Sequence, residues 1–443
     1  MEYVERKIDK SLSEWKNKEH RKPLLLRGAR QVGKSSSVRE LAKQFDYFLE
    51  VNFERDDHEL NVKEVFKKGL HPGRICDELS VIYDTPVIAG RTLLFFDEIQ
   101  SCVEAISALR FFYEDAPEIH VIAAGSLLEF ALQELPSLGV GRVHSLYMYP
   151  FSFDEYLRAG KKSLLADAVL NASPESPLSD VLHKNALQQL LTFVLTGGMP
   201  EVVAQYSQGV SLLECMNILN DLTFSFYDDF AKYKSKFSTA LLREVFGSVI
   251  HQTGGKFTYS GVSKTAYHAQ IKESIRLLEL AGLIIPVIHT SGNGIPPAAE
   301  MDPKYKKQLI LDTGVYRRYL RLNLSEMLNA DRLIVVNKGA LAELFAGLEL
   351  QKSAPNNQPE QLYCRHREKT GSNAEVDYVV QCGEHIVPVE VKSGTKGSMQ
   401  SMFRFLEEKS SPYGVRISLE NFATYDKIRV YPLYATGNVL IHN

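Results

Sequence analysis

Residues 28–35 read Gly28-Ala29-Arg30-Gln31-Val32-Gly33-Lys34-Ser35, and Ser36 follows. The spacing G-x-x-x-x-G-K-S suits a polyphosphate. Gly28 and Gly33 let the backbone bend around the anion, and the loop N–H groups with the next helix N-terminus bind it. Lys34 then reaches the terminal phosphates, and the Ser35 hydroxyl ligates Mg²⁺. The whole run Gly28, Ala29, Arg30, Gln31, Val32, Gly33, Lys34, Ser35 and Ser36 is expected to line a nucleotide.

A second element complements the first. Thr92 to Gln100 read TLLFFDEIQ, an apolar strand ending in Asp97-Glu98. Asp97 is placed to hold the metal and Glu98 to orient or deprotonate an attacking water. A carboxylate at Glu98 favours hydrolysis over binding alone, and a small-molecule kinase needs no such group. Ser126 follows the apolar run IHVIAAG, where a polar residue at a strand end senses the γ-phosphate or merely closes a turn. Arg142 lies in the glycine-flanked stretch LGVGRVHS; it reads either as an arginine finger, acting within one subunit or across two, or as a solvated surface residue.

The carboxy-terminal part carries a third constellation, EVDYVVQCGEHIVPVEVK over residues 375–392. If Gln381 pairs with Ile386 in a hairpin, Asp377 falls opposite Glu390. Glu390 and Lys392 are two apart on one strand and share a face. Two carboxylates and a lysine suit a divalent cation beside a scissile phosphate. Glu343, on the preceding helical stretch, is a further candidate ligand. The competing reading is a structural Asp–Lys–Glu cluster without activity.

These residues need elements to hold them. Short apolar runs at 24–28, 48–53, 92–98 and 119–126 alternate with helical patterns at 35–45 and 102–114, as in a parallel α/β sheet. Residues 161–330 are mostly helical, and ALQQLLTFVLTGG (186–198) is stopped by two glycines. The stretch 271–294 reads as a helix ended by Gly282, a strand over Leu283–Ile288 and a turn, the outline of a winged helix. Residues 331–443 open with a helix at 337–352 and continue in strand-like runs as an α+β domain. At roughly 150 residues per domain the 443 residues predict about three, here 1–160, 161–330 and 331–443, with a first linker near 159–163.

Composition limits the function classes. Hydrophobic residues at 44% and charged residues at 24% exclude an extended disordered chain. The balance of 51 Lys and Arg against 54 Asp and Glu, net -3, excludes a polycation. Five cysteines, none at C-x-x-C spacing, support neither a disulfide framework nor a cysteine zinc site. No 18-residue apolar run and no secretory leader is evident, so a cytoplasmic protein without a membrane span is expected. Residues 236–332 nonetheless hold 13 Lys and Arg against 8 Asp and Glu. Lys304, Lys306, Lys307, Arg317, Arg318 and Arg321 form the densest part. Such a region contacts DNA or RNA phosphates, or is a solvated face used for protein packing; Arg317 and Arg321 are expected on one helix face.

The order LLLRGARQVGKS, LLFFDEIQ, GVGRV…YPFSFDEYL and AEVDYVV…IVPVEVKSG resembles a prokaryotic family of AAA-type (AAA+) P-loop ATPases. These join an ATPase domain to a carboxy-terminal domain of unknown function with a PD-(D/E)xK nuclease-like core. The resemblance implies an AAA+-like α/β domain, a helical and winged-helix region, and an α+β restriction-endonuclease-like domain. It also implies ATP, Mg²⁺ and a prokaryotic cytoplasm. Its functional pattern falls on Gly33, Lys34, Ser35, Asp97, Glu98, Glu343, Asp377, Glu390 and Lys392. The function it implies is ATP hydrolysis whose nucleotide state controls a nuclease-like, nucleic-acid-binding half; an ATP-switched protein-interaction module with an inactive nuclease-like fold is the alternative. Monomer, dimer and ring all stay open.

Overall fold

The computed structural model describes residues 3–134, 141–231, 238–263, 265–321, 339–369, 372–392 and 399–441. It forms two compact units: Met1–Tyr149 with Leu280–Gly282 and Asn356–Gln358, and Pro150–Glu279 with Leu283–Pro355 and Pro359–Asn443.

The first unit is built on β1 (Leu24–Arg27), β2 (Tyr47–Asn52), β3 (Thr92–Asp97), β4 (His120–Ala124) and β5 (His144–Tyr147). Their order is β2-β3-β4-β1-β5, with every pairing parallel. All residues of β3 and β4 are buried, which is why these segments read as unbroken apolar runs. The edge strand β2 instead alternates buried and part-exposed positions. Phe96, the residue before Asp97, packs edge to face on Phe66 and Phe112 at centroid distances of 5.5 and 6.1 Å. Burying such a ring contributes roughly 1.5–3 kcal/mol, and here it fixes the end of the strand that carries the acidic pair.

The second unit begins with helices, several capped by a serine. Ser152, Ser179, Ser211 and Ser238 each accept the N–H of the residue three positions on, satisfying a donor that the first helical turn leaves unpaired. The helix Asp180–Thr196 stops at Gly197, whose φ of 74° a side chain would resist. Sequence texture puts the first linker near 159–163, whereas the compact units part between Tyr149 and Pro150. The helix Phe153–Ala159 stays with the second unit because Phe153 and Tyr156 pack on Phe193.

An eight-stranded sheet completes this unit: β6 (Ile284–Thr290), β7 (Met301–Ile310), β8 (Leu362–Lys369), β9 (Ser372–Cys382), β10 (His385–Val391), β11 (Gly414–Ser418), β12 (Ala423–Tyr425) and β13 (Ile428–Pro432), in the order β12-β13-β11-β10-β9-β8-β6-β7. The expected wing therefore takes another form. β6 and β7 do make an antiparallel hairpin after the helix His268–Leu280, but the other edge of β6 pairs in parallel with β8. An open row of backbone donors and acceptors on an apolar strand invites such pairing. Strands from either side of the expected boundary at 330 thus share one sheet, while that boundary and the predicted helix start at 337 lie outside the described residues. The five cysteines are buried thiols outside any disulfide, and no described helix is long and apolar enough to cross a membrane.

Candidate nucleotide site and carboxylate cluster

Strand order explains how distant segments meet. β4 lies between β1 and β3, so the residues following these three strands gather at the carboxyl end of the sheet, where open parallel sheets bind ligands. Gly33, with φ 96°, turns β1's exit into the helix Lys34–Ala42. Gly28 has φ 141°, and a Cβ there would sit 2.1 Å from the Met148 carbonyl oxygen. Both glycines of the motif are thus required by backbone geometry. Gln31 adopts φ 63°, Ala29 and Val32 are buried, and Arg6 donates to the Val32 carbonyl at 3.1 Å. That last support comes from a residue the sequence reading passes over.

The Lys34 ammonium donates to the carbonyls of Gly28 (2.8 Å) and Ala29 (2.7 Å). Burial lowers its pKa to about 8, against the opposing attraction of Glu98 and Asp97. The Ser35 hydroxyl donates to Asp97 Oδ2 at 2.9 Å, and burial raises the Asp97 pKa. A hydroxyl and a carboxylate at this distance are hard oxygen donors of the kind Mg²⁺ takes, so the pair fits the expected metal.

Glu98 adopts φ 50°, a left-handed conformation uncommon for a side-chain-bearing residue and a recurrent feature of functional turns. Its Oε2 accepts from Gln100 Nε2 (2.7 Å), Ser126 N (3.2 Å) and Ser126 Oγ (3.1 Å). Burial pushes its pKa up, but these hydrogen bonds and the Lys34 charge outweigh burial and hold it below the ordinary value. Glu98 is therefore an ionised, oriented carboxylate. Ser126 positions it here; Gln100, two residues further on, is a second positioning group whose only signal in sequence is its adjacency. Arg142 ion-pairs with Glu114, and residues 135–140 of its loop lie outside the described set.

In the second unit the hairpin register places Ile386 opposite Gln381 and Val389 opposite Tyr378. Continued one step, that register sets Glu390 opposite Asp377. Asp377 Oδ2 accepts the Val391 N–H at 2.8 Å, and Lys392 pairs with the buried Glu390 at 2.8 Å. The centre of the cluster differs from expectation. Lys307, one of the cations expected on a nucleic-acid face, is 1% exposed. Its Nζ lies 2.8 Å from Glu343, 2.6 Å from Glu375 and 3.7 Å from Asp377. Burial, reinforced by Asp377, raises the Glu343 pKa to about 7, while the carboxylates raise Lys307 well above the usual lysine value despite its burial. Among the described residues no group of three or more His, Cys, Asp or Glu side chains is arranged to hold a metal.

The rest of the basic region is also dispersed. Arg317 is 2% exposed and donates to the Leu195 carbonyl. Lys306 pairs with Glu279 and Arg318 bonds Asn220. The helix ends at Tyr319, and Arg321 follows with φ 51°, so Arg317 and Arg321 share no helix face. Lys304 and Arg321 are exposed.

Comparison with known proteins bears on the first unit above all. Residues 20–157 match the model of an AAA domain. Residues 187–326 and 338–436 match two domains of unknown function, DUF8612 and DUF4143. No curated protein matches the chain. Among solved structures it is similar to the Walker-type ATPase of Pyrococcus abyssi, with 15% identity over 72% of this chain and 96% of that one and a TM-score of 0.47. It is also similar to the Aeropyrum pernix ORC1 protein in complex with DNA (11% identity, 73% and 92% coverage, TM-score 0.28). A third is Drosophila ORC bound to DNA (14%, 72% and 88%, TM-score 0.28). The matched family model and the parallel sheet with its phosphate loop agree: the first unit is an AAA-like P-loop ATPase domain.

Proposed function

We propose that the protein binds and hydrolyses ATP with Mg²⁺ in its first unit, and that the nucleotide state sets how the remainder of the chain engages a partner. The observation carrying this reading is the gathering of Lys34, the Ser35–Asp97 pair and an ionised Glu98 at the ends of β1 and β3, with β4 between them. Lys34 leaves its two carbonyls to bind the terminal phosphates. Ser35 and Asp97 would hold Mg²⁺, which when bound would neutralise charge developing on the phosphates. Glu98, kept ionised by Gln100 and Ser126, orients a water and takes its proton.

The test is ATP turnover with Mg²⁺. Lys34→Ala should abolish it. Glu98→Gln should retain ATP binding and lose about 10²-fold or more in rate, the usual contribution of a general base. Parental turnover in either variant overturns the corresponding role.

For the rest of the chain, partner binding without cleavage is favoured over cutting. Lys307 and Arg317, two cations of the densest basic stretch, are buried in the fold and unavailable to a phosphate backbone. Turnover measured with single-stranded DNA, double-stranded DNA and RNA decides the partner class. Stimulation by one polymer names a nucleic acid; indifference to all three leaves a protein partner.

A further inference from the structure

A nuclease-type divalent cation does not fit the carboxylate cluster of the eight-stranded sheet, and we infer that Lys307 is its resident cation: the ammonium takes the position between Glu343, Glu375 and Asp377 that a metal would need. The inference deepens the non-cleaving reading of this half and rests on it; it does not depend on ATP hydrolysis.

The geometry is specific. Glu375 and Asp377 are two apart on β9 and project to one face. Glu343 comes from the helix Gly339–Ser353. The Tyr378 hydroxyl, on the buried core side, donates to the Glu343 main-chain carbonyl at 2.7 Å and anchors that helix turn to β9. Lys307 reaches this place from β7, although β8 and β6 lie between β9 and β7 in the sheet order. Three strand spacings of about 4.8 Å separate the two strands, more than a lysine side chain spans alone, so Lys307 and the β9 carboxylates reach toward each other.

Contacts of 2.8 and 2.6 Å to two carboxylates are close charge-assisted pairs. A metal at the same point would stand against the ammonium. Of the cluster's carboxylates among the described residues, Glu390 lies outside the lysine's contacts, and Lys392 already pairs with Glu390 at 2.8 Å. The two lysines thus offset part of the charge of the four carboxylates in place of a metal, and the cluster ties the β6–β7 hairpin to β9 and the helix.

The experiment uses the full chain without nucleotide and Mn²⁺ as the probe, read by electron paramagnetic resonance and by thermal melting. The parent should bind no Mn²⁺ that Asp377→Asn removes. Lys307→Met leaves three carboxylates facing one point, so it should bind about one Mn²⁺ per chain that the parent does not, and its melting temperature should rise with Mn²⁺. A folded Lys307→Met chain that gains no Mn²⁺ overturns the inference. If that variant does not fold, the parent decides: Mn²⁺ bound there and lost in Asp377→Asn overturns the assignment, and no such binding upholds it. Metal binding by the parent without nucleic-acid cleavage sinks the inference alone; binding with cleavage sinks the non-cleaving reading too.

Discussion

Lys34 gives a prediction that an ordinary lysine would not. Burial lowers its pKa from 10.5 to about 8, a depression worth about 3 kcal/mol against the charged form. By linkage, this group opposes folding of the nucleotide-free protein below about pH 8, and the opposition fades as pH rises toward 10.5. A phosphate chain beside the amine reverses the preference, since an adjacent anion favours the ammonium. ATP binding then takes up a proton wherever the free protein has lost it.

At pH 7 about nine-tenths of the free protein carries the ammonium, and at pH 9 about one-tenth. Affinity scales with that competent fraction. ATP should therefore bind about tenfold more weakly at pH 9 than at pH 7, close to 1.4 kcal/mol. A lysine at 10.5 would lose only a few per cent of its affinity over that range. The measurement is calorimetric titration of ATP and Mg²⁺ at both pH values, repeated in buffers of different ionisation enthalpy. Close to one proton should enter per ATP at pH 9 and almost none at pH 7. Lys34→Ala should bind weakly and without this pH dependence. Equal affinities at the two pH values, with no proton uptake in the parent, would refute the argument from burial.

Two further substitutions test the surroundings. Gly28→Ala places a methyl 2.1 Å from the Met148 carbonyl oxygen at a φ of 141°; the backbone strain alone costs about 1–3 kcal/mol, so melting of the first unit should fall by several degrees and ATP affinity with it. An unchanged melting curve would mean the loop has another relaxed form. Arg142→Ala removes a guanidinium held by Glu114, and turnover should stay within about threefold of the parent, against the 10³–10⁵ lost with an arginine finger. A drop of that larger size would place Arg142 on the nucleotide.

The first unit was legible because its signals are local. A phosphate loop favours glycine where φ is positive, and Gly28 and Gly33 hold two of the three such positions, with Gln31 at the third. Parallel strands buried on both faces read as apolar runs, and β3 and β4 do so. The β9–β10 register was legible for the same reason: Gly383, with φ 59°, turns the chain between the two strands. The support given to Glu98 by Ser126 was harder to read, because it depends on β4 lying beside β3, a pairing set by the sheet rather than by spacing.

The second unit shows where local reading stops. A lysine inside a basic stretch is a surface cation by every compositional rule, since lysine is almost never fully buried unless paired. Lys307 is paired, but its partners lie on strand β9 and on a helix beyond residues 322–338, so nothing within its own stretch marks it. Its neighbour Lys306 points the other way, to Glu279, as adjacent residues of a strand must. The alternation of β7 thus divides one basic run into an outward cation and an inward one. Counting charge along the chain sums the two; the sheet separates them, and only the inward one decides whether the carboxylate cluster has room for a metal.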